Sequence, residues 1–493
     1  MNKVANPGQK AVSGIIWIYL AYYSGKFLVF LSTLVLARIL SKDDFGVAGY
    51  ALTVISFLDV AADLGIGPAL IYSHNEKEKA NTAFWLGLAL SSIMTLFTWM
   101  IAPLAGIFFG DDRAIAVVRV LSFSFPIAAL GSIHDILLRK ELSFKKKFIP
   151  DFSRSIGKGI FSIVFALAGF GAWSLIIGQL SGMFIAMIVL WITFPWRPSF
   201  QFAFDKSREL IRYGISIVGV DILGVILVNS DYLLVGRYLG ATALGVYTLA
   251  FRIPDLLIMQ FCSIVSKVIF PLYSKLRDDP NSLQRGFLAT TRYVVLVTAP
   301  LSLGIFLVSP PLIMLAFGEK WSEAIPIMRA ISIYSLMLSL AYNAGDVYKA
   351  QGRPEILIRI SLARAVVLIP ALYWAASQVR SIQIVGWVHA GVAFIFGLIT
   401  LAIASTLLNV SVNALWASMR PAVIATSVMV VCVMLVISFL NNYNFSYLSQ
   451  LVIEVMVGIA SYVGTIWIVE RSIVNELVAL VQKFLKKSTQ TAQ

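Results

Sequence analysis

Long apolar runs separated by short polar breaks recur along the whole chain. Fourteen can be drawn, near residues 11–37, 45–72, 82–109, 117–138, 149–170, 172–195, 213–236, 244–271, 288–316, 324–348, 356–377, 383–408, 419–440 and 447–469. Each is about the length a helix needs to cross a bilayer, roughly 20 residues. None alternates in polarity, and each is about twice as long as a barrel strand. The pattern predicts an all-α integral membrane protein of about fourteen transmembrane helices.

Composition agrees. The 493 residues are 59% hydrophobic and only 13% charged, about half the charge of an ordinary soluble domain. That excludes a soluble enzyme and a disordered chain alike. Fourteen spans leave no room for a soluble domain.

The charges set an orientation. Lys and Arg number 39 against 25 Asp and Glu, a net of +14. With the N-terminus placed inside, cytoplasmic segments carry 24 of the basic residues and outside segments 8. This bias predicts both termini in the cytoplasm. Spread over eight separate segments, the basic residues do not describe a nucleic-acid surface. The segment 139–148 (RKELSFKKKF) should lie near anionic headgroups. Residues 200–212 read as a surface helix. The tail 471–493 places apolar residues at helical spacing ahead of terminal lysines, the pattern of an interfacial amphipathic helix or of a helix packed on the cytoplasmic loops.

The chain repeats itself. ARILSKDDFGVAGYA (37–51) matches GRYLGATALGVYTLA (236–250) at Arg38/Arg237, Leu40/Leu239, Gly46/Gly245, Val47/Val246 and Ala51/Ala250, all 199 residues apart. RVLSF (119–123) matches RAISI (329–333), and basic turns follow both at equal distance. The repeat predicts two six-helix halves of the same topology, the parallel-repeat plan of transporters. Expected boundaries are an N-lobe over 1–198, a C-lobe over 199–408, two further helices over 409–470 and the tail over 471–493.

These motifs carry a family resemblance. The pattern RxLxxxxxGVxxxA after the first span, DLGIGPALI (63–71), LLRKELSFKKKF (137–148), GAWSLIIGQL (171–180) and FDKSRELIRYG (204–214) resemble the polysaccharide and oligosaccharide flippases of the multidrug/oligosaccharidyl-lipid/polysaccharide exporter superfamily. The chain is most similar to exporters of lipopolysaccharide, colanic acid and teichuronic acid. The similarity runs over about residues 10–400; the last two spans match in hydropathy alone. It implies two lobes around a central cavity, with two extra helices behind. It also implies transfer of an undecaprenyl-diphosphate-linked oligosaccharide from the inner to the outer leaflet, beside a polymerase and glycosyltransferases.

Seven basic residues fall inside spans: Lys26, Arg154, Lys158, Arg252, Lys267, Arg292 and Arg364. Intramembrane charge is costly and marks function. Lys267 and Arg292, with Asp135, Asp151 and Asp346, lie near span ends and are expected to snorkel. Lys26, Arg154, Lys158, Arg252 and Arg364 are the candidates for a cationic cavity that holds a diphosphate. Structural pairing, such as Lys26 with Asp59, is the competing role. Asp59, Asp63, Asp221, Asp231 and Asp255 are the candidates for coupling to a proton or sodium gradient; neutralising the basic cavity is their alternative. No catalytic residue, metal or cofactor is expected. The two cysteines lie in apolar runs and the three histidines are scattered.

Two rival functions stay open. One is a cation-coupled multidrug antiporter of the same superfamily. The other is a polytopic glycosyltransferase or O-antigen ligase, which the short outside loops disfavour. Reporters fused after residues 76, 143, 205 and 279 should read cytoplasmic, and those after 42, 112, 241 and 320 outside. An external reading at 143 would refute the span count.

Overall fold

The computed structural model describes residues 24–63, 77–141, 143–443 and 445–471, with main chain only at residues 63, 77, 144, 145, 206 and 208–221. All regular structure among them is helical. In chain order the helices are α1 (24–39), α2 (Lys42–Asp63), α3 (Lys77–Phe109), α4 (Arg113–Leu121), α5 (Ser124–Lys140), α6 (Phe144–Leu167), α7 (Ala172–Thr193), α8 (Phe204–Pro254), α9 (Gln260–Lys275), α10 (Pro280–Ala316), α11 (Ala324–Ala350), α12 (Pro354–Tyr373), α13 (Ile382–Leu407), α14 (Val412–Leu440) and α15 (Tyr447–Val469).

Among the described residues, 11 helical stretches are long and apolar enough to cross a membrane. One of them, Ile222–Lys275, has 54 residues, enough to cross twice. It breaks at Gly240, with φ 83° and ψ −178°, a backbone that is essentially restricted to glycine. The break separates the runs expected at 213–236 and 244–271. α1 and α6 are not among these 11 stretches. α6 is less apolar because Asp151, Arg154 and Lys158 stand within it. The chain is therefore a multi-pass helical membrane protein. The tail expected to be amphipathic lies, beyond Arg471, outside the described residues.

The described residues form two compact units. The first takes those of Met1–Leu249 with Ile369–Val385, the second those of Ala250–Leu368 with Gly386–Gln493.

In the first unit, α6 and α7 are bound through small residues. Gly178 and Gly182 lie one turn apart on α7. A Cβ on Gly182 would stand 2.6 Å from the Arg154 carbonyl oxygen, and one on Gly178 would stand 2.9 Å from that of Lys158. Glycine thus lets two backbones approach closely where lipid offers no hydrophobic force to press them together. α1 crosses α6 in the same way: a Cβ on Gly25 would stand 2.8 Å from Ser155 Oγ, and one on Gly159 would overlap Ser32.

The tightest approach joins the two repeats. A Cβ on Gly46 of α2 would overlap the carbonyl of Ala241 on α8, and one on Gly245 would overlap the carbonyl of Lys42. Residues 46 and 245, and likewise 42 and 241, are 199 apart. The contact is reciprocal, as a local twofold axis between α2 and α8 requires. Beside it, Arg237 donates to the carbonyls of Ile107 and Phe108 at the end of α3, 2.8 Å from the former. That cation meets the negative end of the helix dipole.

The second repeat is just as visible. In the first unit Arg119 stacks over Trp99, 5.7 Å from its centroid, and its Nε donates to the Trp99 carbonyl at 3.4 Å. In the second unit Arg329 stacks over Phe306 at 5.5 Å and donates to its carbonyl at 3.2 Å. Ser122 and Ser332 donate to the carbonyls of these arginines. Thr95 and Ser302 donate to the carbonyls of those serines. One set of side-chain contacts has been built twice, with the arginines and serines 210 residues apart.

Gly46→Ala or Gly245→Ala should each cost on the order of 1–3 kcal/mol through overpacking. Thermal unfolding in detergent should show this as a clear fall in Tm. Gly464→Ala, which meets nothing within 4 Å, should leave Tm unchanged. Equal stability of all three variants would refute the close contact.

Candidate functional site

The cationic candidates fall in both units. In the first unit Lys26 and Arg154 flank the α1–α6 crossing, each next to one of its contact residues, Gly25 and Ser155. Both side chains are exposed, while Lys158, one turn on, is half-buried against Gly182 of α7. No carboxylate lies within 4 Å of Arg154 among the described residues, although α6 carries Asp151 one turn away.

In the second unit Tyr334 of α11 is the hub. Its ring lies 6.0 Å from the Arg364 guanidinium, 4.3 Å from His389 and 6.1 Å from Phe251. Arg364 and Arg252 each bury an Nε with no hydrogen-bond partner. Both arginines are otherwise half-buried. Arg252 precedes a π-turn at Asp255–Met259, a distortion common at functional sites. There Asp255 accepts from Gln260 at 3.2 and 3.3 Å.

Arg364 lines a cleft with Asp346, Lys349, Tyr342, Ser361 and Thr400. Arg154 and Arg364 stand 210 residues apart, the offset of Arg119 and Arg329. They occupy the same position of α6 and α12, which begin at Phe144 and Pro354. The sequence groups both among the cavity candidates, and the second offset is the signal that makes them repeat equivalents.

The acidic candidates divide. Asp231 is fully buried, and one oxygen accepts from Tyr247 Oη at 2.8 Å. Asp59 is exposed on α2. The side chains of Asp63 and Asp221 lie outside the described residues. Asp346, expected to snorkel, is instead 3% exposed. Arg292, also expected near a span end, pairs with Glu470.

At the opposite, loop-borne end of the first unit, Arg113 bridges Asp43 and Asp111, meeting the latter at 2.8 Å. Its guanidinium holds the Asp111 carboxyl below the usual carboxylate range. That contribution is present above the ordinary carboxyl pKa and is lost as pH falls. The clasp satisfies its own charges and offers nothing to a ligand. No cluster that could hold a metal occurs among the described residues.

Duplicated helical halves with basic residues inside the apolar runs define a polytopic transporter architecture. The chain belongs to the polysaccharide biosynthesis protein family, whose model matches residues 35–326. It is 26% identical to the teichuronic acid biosynthesis protein TuaB of Bacillus subtilis (strain 168), over 82% of this chain and 84% of that one. In fold it is similar to the lipid II flippase MurJ in an inward closed conformation, with TM-score 0.76 at 14% identity, over 93% of this chain and all of that one. An inward-facing multidrug resistance transporter of the MATE family gives TM-score 0.64 at 15% identity, over 78% and 94% of the two chains.

Arg364→Ala should lower affinity for inorganic pyrophosphate by about 10–100-fold, since a charged hydrogen bond contributes about 1.5–3 kcal/mol. Arg364→Lys should lose less. Calorimetry on purified protein checks both, and an unchanged affinity in Arg364→Ala would place the anion elsewhere.

Proposed function

We propose that the protein translocates undecaprenyl-diphosphate-linked oligosaccharides across the bacterial cytoplasmic membrane, with both termini on the cytoplasmic side. The observation that carries this reading is the pair Arg154 and Arg364. The same helix position in each half holds a guanidinium with no carboxylate within 4 Å among the described residues. A diphosphate headgroup would supply a counter-ion to either guanidinium. Lys26, Lys158 and Arg252 would add charge around it. The polysaccharide family and the similarity to TuaB support the same substrate class.

Transport of this kind needs no covalent step. The two halves would expose the headgroup first to one leaflet and then to the other, while the lipid tail stays in the bilayer. A coupling ion would bias the cycle. Glycosyltransferases would supply the lipid-linked glycan and a polymerase would consume it. The MATE-like fold keeps a multidrug antiporter in view, but unpaired arginines repel organic cations.

Reconstitution separates the two. Proteoliposomes carrying a lipid-linked oligosaccharide on one leaflet should move it to the other. Arg154→Ala and Arg364→Ala should each slow this by about tenfold or more, the smaller end of a lost charged hydrogen bond. Lys26→Ala should also slow it, with partial retention in Lys26→Arg. Uptake of ethidium without glycan flipping would overturn the proposal.

A further inference from the structure

The duplicated helix pairs α5–α6 and α11–α12 invite an internal comparison. In the first unit Asp135 near the end of α5 is fully compensated. It pairs with Arg139 at 2.6 Å and with Lys147 of α6. In the second unit the corresponding acid, displaced by one residue, is Asp346. Lys349 takes the place of Arg139, 210 residues on. The place of Lys147 is taken by Leu357, whose side chain lines the cleft. Asp346 is left with one base, 3.7 Å away, and is more deeply buried than Asp135.

Asp346 also stands between two hollows. On one side is the cleft with Arg364 and Lys349. On the other is a very small pocket lined by Cys262, Ser266, Ser339, Tyr342 and Asn343. The groups that face it are therefore Lys349 and Tyr342 of its own helix, Arg364 of α12, and Ser266 and Cys262 of α9. α10 offers Val294, and α13 offers Thr400.

The inner pocket is a poor metal site. Asn343 Oδ1 already accepts from Tyr273 at 2.7 Å, and its amide donates to Thr291 at 2.7 Å. Ser339 Oγ is engaged with Leu336 and Thr298. A dehydrated sodium ion needs several free oxygen ligands, which these contacts leave scarce. A proton needs only the carboxylate.

We infer that Asp346 is a proton-exchange site in the wall of the Arg364 cleft. When it is protonated, Lys349 is released to join Arg364 in facing an anion. When it is ionised, it competes with that anion for Lys349. The acid of the first unit, held between two bases, has no such freedom. The inference goes beyond the proposed substrate, because it assigns the coupling group and the ion.

Infrared difference spectroscopy on the full-length protein in nanodiscs tests it, with pH titrated in sodium and in potassium buffer. The wild type should show a protonated carboxyl band at neutral pH that vanishes on alkalinisation, is the same in both salts and is missing from Asp346→Asn. Lys349→Met, which removes the one base within 4 Å, should move the loss of that band upward in pH, a rise in proton affinity of about tenfold or more. The corresponding Asp135→Asn should remove no such band. A spectrum without an Asp346-dependent band, a band displaced by sodium, or a Lys349→Met titration identical to wild type would overturn the assignment. The spectra need no transported substrate. A wild type that flips glycan with a permanently charged Asp346 overturns this inference alone; a wild type with the band that moves no glycan overturns only the proposed function.

Discussion

A helix in hydrocarbon gains nothing from hiding apolar side chains, because lipid is as apolar as its neighbour. What holds it against another helix is close van der Waals contact and interhelical hydrogen bonding. Every main joint of this protein obeys that constraint. α6 and α7 meet at Gly178 and Gly182, α1 meets α6 at Gly25 and Gly159, and α2 meets α8 at Gly46 and Gly245. Where glycine is absent, polar side chains join helices. Ser339 reaches Thr298 at 3.0 Å, and Tyr462 reaches the Leu296 carbonyl at 2.7 Å. Glycine at the α2–α8 joint also explains why the local sequence repeat is strongest there. A reciprocal contact between backbones tolerates no side chain on either partner.

Duplication has kept the scaffold and released the chemistry. The stacked arginine, its aromatic carbonyl and its serine recur in both units, because they tie one helix to the next wherever the hairpin forms. Arg154 and Arg364 also recur. Lys158 does not, since Leu368 holds the matching place, nor does Lys147, replaced by Leu357. The first unit therefore carries more positive charge on α6, with Asp135 locked between two bases. The second carries a cleft and a loosely paired acid.

The fold was legible because span length and polarity are set by the bilayer itself. A run of about 20 apolar residues has one structural outcome in that solvent. The gap between the runs at 213–236 and 244–271 and the offset of 199 could be read directly from residue identity. The site was legible only in part. Arg364 and Arg252 were candidates because a charge in an apolar run stands out. Asp346 was misjudged because nearness to a span end says nothing about which way a side chain points. Its burial follows from packing of α11 against its neighbours, which no single helix encodes. Arg154 and Arg364 were not matched as repeat equivalents because the two halves do not keep one offset. It is 199 at Gly46 and 210 at Arg119, so an alignment fixed on the first motif misses the second.

The change of offset matters for how a flippase of this kind could work. The α2–α8 joint follows the first spacing and the arginine pair the second, so the contact between repeats and the charge within them have diverged separately. An unpaired guanidinium inside a membrane protein is unstable unless something supplies its counter-charge. Water can do so while a cavity is open to one side. When the cavity closes around the guanidinium, an anionic headgroup is the better partner, because it enters the dry site with its own negative charge. An empty cavity would have to close over bare cations. Closure is thus favoured by the presence of the headgroup. On the proposed reading, the lack of a carboxylate within 4 Å of Arg154 and Arg364 among the described residues is what would make transfer depend on substrate.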